Sequence, residues 1–165
     1  MKDAFLAADA ARRLPHASRV RVVHLGAALD AGADVHARRE MAENPRYRWL
    51  GPRRRSEALA TLAGSALLVI TSRAEGGSNA LSEALASGVP VLSTCVDGSM
   101  GVLGRDHPGL FPVGDAAALA ALLTRAETDA EFLATLRAAG ERVRSLVDPA
   151  REREAWRGLL VELDV

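Results

Sequence analysis

The stretch Ala66-Leu-Leu-Val-Ile-Thr-Ser-Arg-Ala-Glu-Gly-Gly-Ser-Asn-Ala-Leu-Ser-Glu-Ala-Leu-Ala-Ser-Gly-Val-Pro-Val-Leu92 decides the fold. The apolar run Ala66 to Ile70 has the unbroken hydrophobicity of a strand covered on both faces of a parallel sheet. Glu75, Gly76 and Gly77 then form a turn. From about Ser78 to Ala86 the spacing is helical, with Leu81 and Leu85 on one face. Gly88 and Pro90 stop that helix, and Pro90 to Thr94 is a second buried strand. The order strand, glycine turn, helix, strand puts a helix N-terminus and two carboxylates, Glu75 and Glu83, at the carboxyl edge of a parallel sheet. Open α/β folds bind their ligands there.

The same alternation extends outward. Before the stretch, a helix with Asp3 as its cap carries Phe5, Leu6, Ala10 and Leu14 and ends at Pro15. Val20 to Leu25 reads as a strand closed by Gly26, Leu29 to Val35 as a loop, and Val35 to Glu43 as a polar helix. Tyr47 to Leu50 is a short strand, and Ser56 to Ala63 a helix ended by Gly64. After it, Val96 to Gly109 reads as a glycine-rich loop and Leu110 to Val113 as the last strand. Helices follow from Asp115 to Ala126, from Asp129 to Val147, and from Pro149 onward with Trp156, Leu159 and Leu160. This is a doubly wound, Rossmann-like α/β domain. Such domains open on a strand, whereas this chain opens on a helix. The expected first strand belongs mid-sheet, beside the switch point.

Composition narrows the function. The chain has 165 residues, one domain's worth, and is 48% apolar, enough for a real core. Lys plus Arg and Asp plus Glu are 21 each, so no net charge draws it to nucleic acid or acidic lipid. The one cysteine, Cys95, reads as a small buried hydrophobe and excludes a disulfide framework. No run approaches the ~20 apolar residues of a membrane span, and the first residues lack a signal-peptide core. A cytoplasmic protein is expected.

The glycines at Gly76 and Gly77 let backbone N–H groups approach a ligand closely. The helix N-terminus behind them favours an anion. Ser78 or Asn79 can cap the helix or contact a phosphate oxygen. By themselves these residues also describe an ordinary capped helix start, and Glu83 by itself an ordinary solvated glutamate. The paired acids add chemistry: a carboxylate accepts two hydroxyl hydrogens side by side, which suits the diol of a ribose or a sugar. An anion cradle with two acids calls for a ligand rich in both phosphate and hydroxyls, such as a nucleotide sugar.

The string from Glu75 to Val91, with seven residues between Glu75 and Glu83, resembles the signature of the retaining GT-B glycosyltransferases of family 4. The resemblance covers almost the whole chain as that family's C-terminal, donor-binding domain. It implies that Glu75 contacts the donor sugar as the catalytic residue and that Glu83 holds the ribose. Gly76, Gly77 and Ser78 would lie near the diphosphate, and Asn79 would be structural or near a phosphate. Met1-Lys2-Asp3 resembles the motif after the family's first strand, whose lysine reaches the diphosphate; this gives Lys2 a binding role, although the basic residue that precedes that lysine in the family is not in this sequence. By itself Lys2 is a terminal lysine. The resemblance further implies a UDP-sugar donor, no metal cofactor, and an acceptor held by an N-terminal GT-B domain as partner, so that residues 1–165 read as a fragment. Lys2 to Ala8, Val23 to Gly26, Arg46 to Gly51 and His107 to Asp115 are most similar to a bacterial subgroup that includes selenosugar synthases, whose acceptor is selenophosphate.

The remaining features have weaker readings. Arg53-Arg54-Arg55 either neutralises phosphate or is a solvated helix start. His24 either lines the cleft or sits in the core. Asp97-Gly98-Ser99-Met100-Gly101 either closes over the ligand or is a plain loop, and His16 and His36 read as exposed. No metal-ligand spacing, Asp-x-Asp pair or P-loop is present. Two other functions compete with a transferase donor domain: a nucleotide-binding module or remnant without turnover, and a GT-B-fold UDP-sugar epimerase.

Overall fold

The computed structural model describes residues 2–28 and 30–163. Met1, which opens the expected lysine motif, and Leu29, where a loop was expected to start, lie outside them. The elements in order are α1 (Leu6–Arg12), β1 (Val22–His24), α2 (Ala31–Glu43), β2 (Tyr47–Trp49), α3 (Arg55–Ala63), β3 (Leu68–Ile70) and α4 (Asn79–Ala86). They continue with β4 (Val91–Thr94), α5 (Asp97–Leu103), β5 (Leu110–Phe111), α6 (Ala116–Thr128), α7 (Ala130–Val143), a 3₁₀ turn (Arg144–Val147) and α8 (Pro149–Glu162).

All the strand pairs are parallel, but they form two sheets. One is β1–β2, with Val22 opposite Tyr47, and the other is β3–β4–β5, with Leu68 opposite Val91 and Ser93 opposite Leu110. Among the described residues no strand pairing joins β1 to β3. The break falls mid-sheet, at the position where a first strand is expected from the sequence.

The core lies on both faces of β4, whose four residues are all buried. Leu92 packs with Phe111, Leu119, Leu123 and Leu136 under α1, α6 and α7. Val91 turns the other way, to Ile70, Leu81, Leu85 and Leu103 under α4 and α5. Each fully buried leucine contributes about 1.5–3 kcal/mol before entropy. The helix–strand junction after α4 is a Schellman cap. Gly88 takes φ 69°, its N–H donates to Leu85 O at 3.1 Å, and the Val89 N–H donates to Ala84 O at 2.9 Å. This is what the Ser-Gly-Val-Pro sequence accomplishes.

The structure corrects several sequence expectations. Val96 to Gly109 is not all loop, because it contains α5. The helix expected from Val35 starts at Ala31, capped by Asp30, whose carboxylate accepts the Ala33 N–H at 2.7 Å. Asp3 does not cap α1; its carboxylate pairs with Arg73 at 2.8 Å. Cys95 is exposed, because β4 ends at Thr94 and the chain turns out of the sheet. In β3, Leu68 and Val69 are only half-buried, since among the described residues no strand pairs with one edge of β3.

Candidate functional site

The site lies at the carboxyl ends of β1 and β3, joined by Glu83 on α4 and Arg55 at the start of α3. Glu75 sits in the turn leaving β3 and is half-buried. The Ser72 hydroxyl donates to one of its carboxylate oxygens at 2.6 Å and fixes the side chain. The backbone of the same turn is braced from behind, where Gly98 N–H donates to Glu75 O at 3.1 Å. A Cβ at Gly98 would lie 2.2 Å from that oxygen, so only glycine allows α5 to approach the turn this closely. The segment read as a possible cover is thus a buttress. Ser99 is buried beside it and takes a 2.8 Å bond from Ser93.

Gly76, Gly77 and Asn79 are exposed on the rim. Ser78 caps α4 by accepting the Leu81 N–H at 3.4 Å, so its own hydroxyl hydrogen can still be donated. Glu83 lies on the helix face opposite the buried Leu81 and Leu85, with 28% of its side chain exposed. Arg55, at the start of α3, reaches it at 3.2 Å. Of the three arginines in that run, this is the one at the site. Arg54 begins the helix instead, its N–H donating to Glu57 at 3.2 Å.

Lys2 forms an antiparallel bridge with Ser72. Next to it, Asp3 N–H donates to Thr71 O at 3.2 Å, and the Thr71 hydroxyl donates to Asp3 O at 2.6 Å. The chain is thereby pinned across the end of β3, next to the glycine turn. His24 ends β1 and shares a 2.6 Å hydrogen bond between its Nδ1 and the Tyr47 hydroxyl. Burial, and then the charge of Lys2, hold its pKa below the ordinary histidine value. Burial raises the Tyr47 phenol to about 12. Neutral His24 with a protonated Tyr47 is the resulting state at neutral pH. His36 is exposed, as expected, and stacks on Phe5 with ring centroids 3.9 Å apart.

Lys2, His24, Ser72, Glu75, Ser78 and Glu83 line one cavity of about 800 Å³. The arrangement offers a lysine, a helix N-terminus and two carboxylates held by different partners, which suits a ligand carrying both anionic and hydroxyl groups. Sequence reasoning named Arg55 only within its arginine run, without its contact to Glu83, and missed Ser72 and the bracing role of Gly98. Ser72 was open to detection, as a hydroxyl three residues before an acid in a turn; the other two contacts cross 28 and 23 residues. Among the described residues no group of three or more His, Cys, Asp or Glu is placed to hold a metal, and no helix is long and apolar enough to cross a membrane.

Known structures share this fold. Anabaena HepE, solved in complex with UDP-glucose, superposes with a TM-score of 0.82 at 21% identity, over 98% of this chain and 45% of HepE. The same protein in complex with UDP and glucose gives 0.84 at 20% identity. Sucrose-phosphate synthase from Thermosynechococcus elongatus gives 0.72 at 22% identity, over 96% of this chain and 42% of the enzyme. The chain spans a little under half the length of these neighbours and has the Rossmann-like fold of the C-terminal half of GT-B glycosyltransferases. Comparison with curated proteins finds no match. The family described as "Glycosyl transferases group 1" matches residues 2–129, most of the chain, which therefore belongs to that family.

Proposed function

We propose that this domain binds the nucleotide-sugar donor of a retaining glycosyltransferase, with UDP as the nucleotide. The observation that carries the reading is the convergence of Glu75, Glu83, Lys2 and the capped start of α4 on one cavity mouth. The neighbour HepE, of the same fold, was solved with UDP-glucose, which favours UDP among nucleotides.

In this reading the diphosphate lies against the α4 N-terminus and the glycine backbone, with Lys2 and the Ser78 hydroxyl as further donors. These groups stabilise charge on the leaving nucleotide as the bond to the anomeric carbon breaks. Glu83 accepts the ribose hydroxyls, and Arg55 compensates its charge. Glu75, held by Ser72 through one oxygen, offers the other to a sugar hydroxyl and sets the sugar's orientation. The acceptor comes from an N-terminal domain, and selenophosphate, the acceptor of the similar selenosugar synthases, is the first to assay. In this reading Lys2 and the α4 N-terminus supply the positive potential at the diphosphate.

Calorimetric titration of UDP and a UDP-sugar into the chain tests this. Glu83→Ala should weaken UDP binding by about 1.5–3 kcal/mol, the loss of charged hydrogen bonds to the ribose. Glu75→Ala should leave UDP affinity unchanged and remove the extra affinity for the sugar. Unchanged UDP affinity in Glu83→Ala, or equal losses from both variants, would refute the assigned roles.

A further inference from the structure

His24 ends β1 and lines the cavity together with Lys2, Ser72 and Glu75. Its ring is held on two sides. Tyr47 stands opposite Val22 in the ladder, so its side chain reaches diagonally to His24, two residues on. The phenol oxygen and His24 Nδ1 are 2.6 Å apart. The Phe5 ring meets the imidazole edge-on, with centroids 6.3 Å apart and planes at 89°. Tyr47 is buried and is not part of the cavity wall. Nδ1 is therefore the nitrogen turned to the core.

The tautomer follows from counting hydrogens. A phenol has one, and a neutral imidazole has one on either nitrogen. Among the described residues the only partner of the Tyr47 oxygen is His24 Nδ1. If Nδ1 carried the hydrogen, the buried phenol hydrogen would have no acceptor, which is costly. Tyr47 therefore donates, Nδ1 accepts, and the ring hydrogen sits on Nε2. Nε2 has no partner among the described residues and, unlike that of His107, is not sealed from solvent. Lys2 is in the same condition. It forms no ion pair among the described residues, and the neighbouring Asp3 is taken by Arg73 at 2.8 Å. Burial, and then the Lys2 charge, favour the neutral ring. The other titratable groups around it do not offset that charge. Tyr47 is protonated, His36 lies beyond Phe5, Glu40 is paired with Arg12, and Glu75 accepts from Ser72 on the β3 side. One wall of the cavity thus carries two N–H donors, one charged and one neutral, without acceptors.

We propose that His24 is a further ligand-binding residue: its Nε2–H donates to a phosphoryl oxygen of the bound diphosphate, the anion that Lys2 also reaches, and Tyr47 is the positioning residue that fixes this tautomer. The inference rests on the nucleotide-sugar reading and extends it to the β1 side of the cavity. The chemistry selects an oxygen acceptor with negative charge, because a cationic or N–H group of a ligand would meet two donors. A neutral imidazole needs no carboxylate to balance it, and its donor strength holds through neutral pH because the ring does not change charge there. The phenol donating to Nδ1 also draws electron density from the ring, which makes Nε2–H the better donor.

Nitrogen NMR of the imidazole reads this in the native chain, so no variant needs to fold. Without ligand, His24 should show an unprotonated Nδ1 and a protonated Nε2. The probe is UDP-glucose, whose diphosphate is esterified at both ends and does not titrate near neutral pH. At saturation the Nε2–H proton should shift downfield and exchange more slowly with water, with Nδ1 still unprotonated. Calorimetry gives the size of the effect. His24→Phe keeps a ring without a donor and should bind UDP-glucose about tenfold or more weakly, while His24→Gln, which restores an N–H, should recover most of the loss. The loss should be the same for UDP at about pH 8, where its phosphate is fully ionised. Tyr47→Phe should let the second tautomer appear in the nitrogen spectrum. No binding of UDP-glucose or UDP by the native chain would refute the nucleotide-sugar reading and this inference with it. Binding with an unmoved Nε2–H resonance, native affinity in His24→Phe, or a loss confined to UDP-glucose would overturn this inference alone. A native-like spectrum in Tyr47→Phe would overturn the positioning role.

Discussion

Gly98→Ala should loosen the site from behind. An alanine Cβ at this position would lie 2.2 Å from Glu75 O and 2.8 Å from its carbonyl carbon. An ordinary C···O contact needs about 3.3–3.6 Å, so α5 and the Glu75–Gly76 turn must separate by about 1 Å. The Gly98 N–H to Glu75 O bond, now 3.1 Å, does not survive that movement. Overpacking of this kind costs about 1–3 kcal/mol, and the lost bond adds about 0.5–1.5 kcal/mol. Gly101→Ala in the same helix is the control. A Cβ there meets nothing within 4 Å, and alanine gains up to about 1 kcal/mol of helix propensity. Urea denaturation should show Gly98→Ala destabilised by about 2–4 kcal/mol and Gly101→Ala unchanged or stabilised. UDP titration should show weakened binding only in Gly98→Ala. If Gly98→Ala matches the native chain in both assays, the bracing of the glycine turn by α5 is refuted.

Two further outcomes follow from buried polar groups. His107 is buried, its Nδ1 accepts the Gly109 N–H at 3.1 Å, and its Nε2 has no partner. Burial, then the charge of Arg142, lower its pKa to about 4. Its folded value lies below the ordinary 6.5, so the unfolded chain binds the proton more readily, and stability present above pH 6.5 is lost as pH falls toward 4. The gap is worth roughly 3 kcal/mol, and denaturation midpoints of His107→Leu between those pH values should lose that part of the slope. Asn44 is buried and donates to Glu40 at 2.7 Å and to Ala8 O at 3.1 Å, while accepting the Arg46 N–H at 3.1 Å. Asn44→Ala removes these three bonds, leaving Glu40 to Arg12 alone, and should cost about 1–3 kcal/mol in chemical denaturation, with no change in UDP affinity.

The unit β3–turn–α4–β4 was legible because its determinants are local. The continuous apolar runs, the Ser78 cap and the αL glycine at Gly88 each act within a few residues. Helix α5 was not legible for a physical reason. Gly98 and Gly101 each lower helix propensity by about 1 kcal/mol, and Gly98 is there for an approach to Glu75 that no local pattern encodes. Similarly, Asp3 has the chemistry of a cap but is claimed by Arg73, 70 residues away. Cys95 extends an apolar run in sequence, yet its N–H donates to Phe111 O while its side chain faces out. Half-burial of Leu68 and Val69 depends on what lies beyond the edge of β3, a property of the assembled sheet that the strand's own residues do not carry.

The break between the two sheets also bears on cooperativity. Residues 22–49 form a contiguous block of β1, α2 and β2, and no fully buried member of either hydrophobic cluster comes from it. Its ties to the rest of the chain run mainly through α1, by the Arg12–Glu40 pair and the Asn44–Ala8 bond. The remainder is held by two clusters that share β4. Such a block opens at a free energy below that of global unfolding. Heating the chain should therefore absorb more heat than an all-or-none transition of the same sharpness requires, with the β1–α2–β2 block melting first.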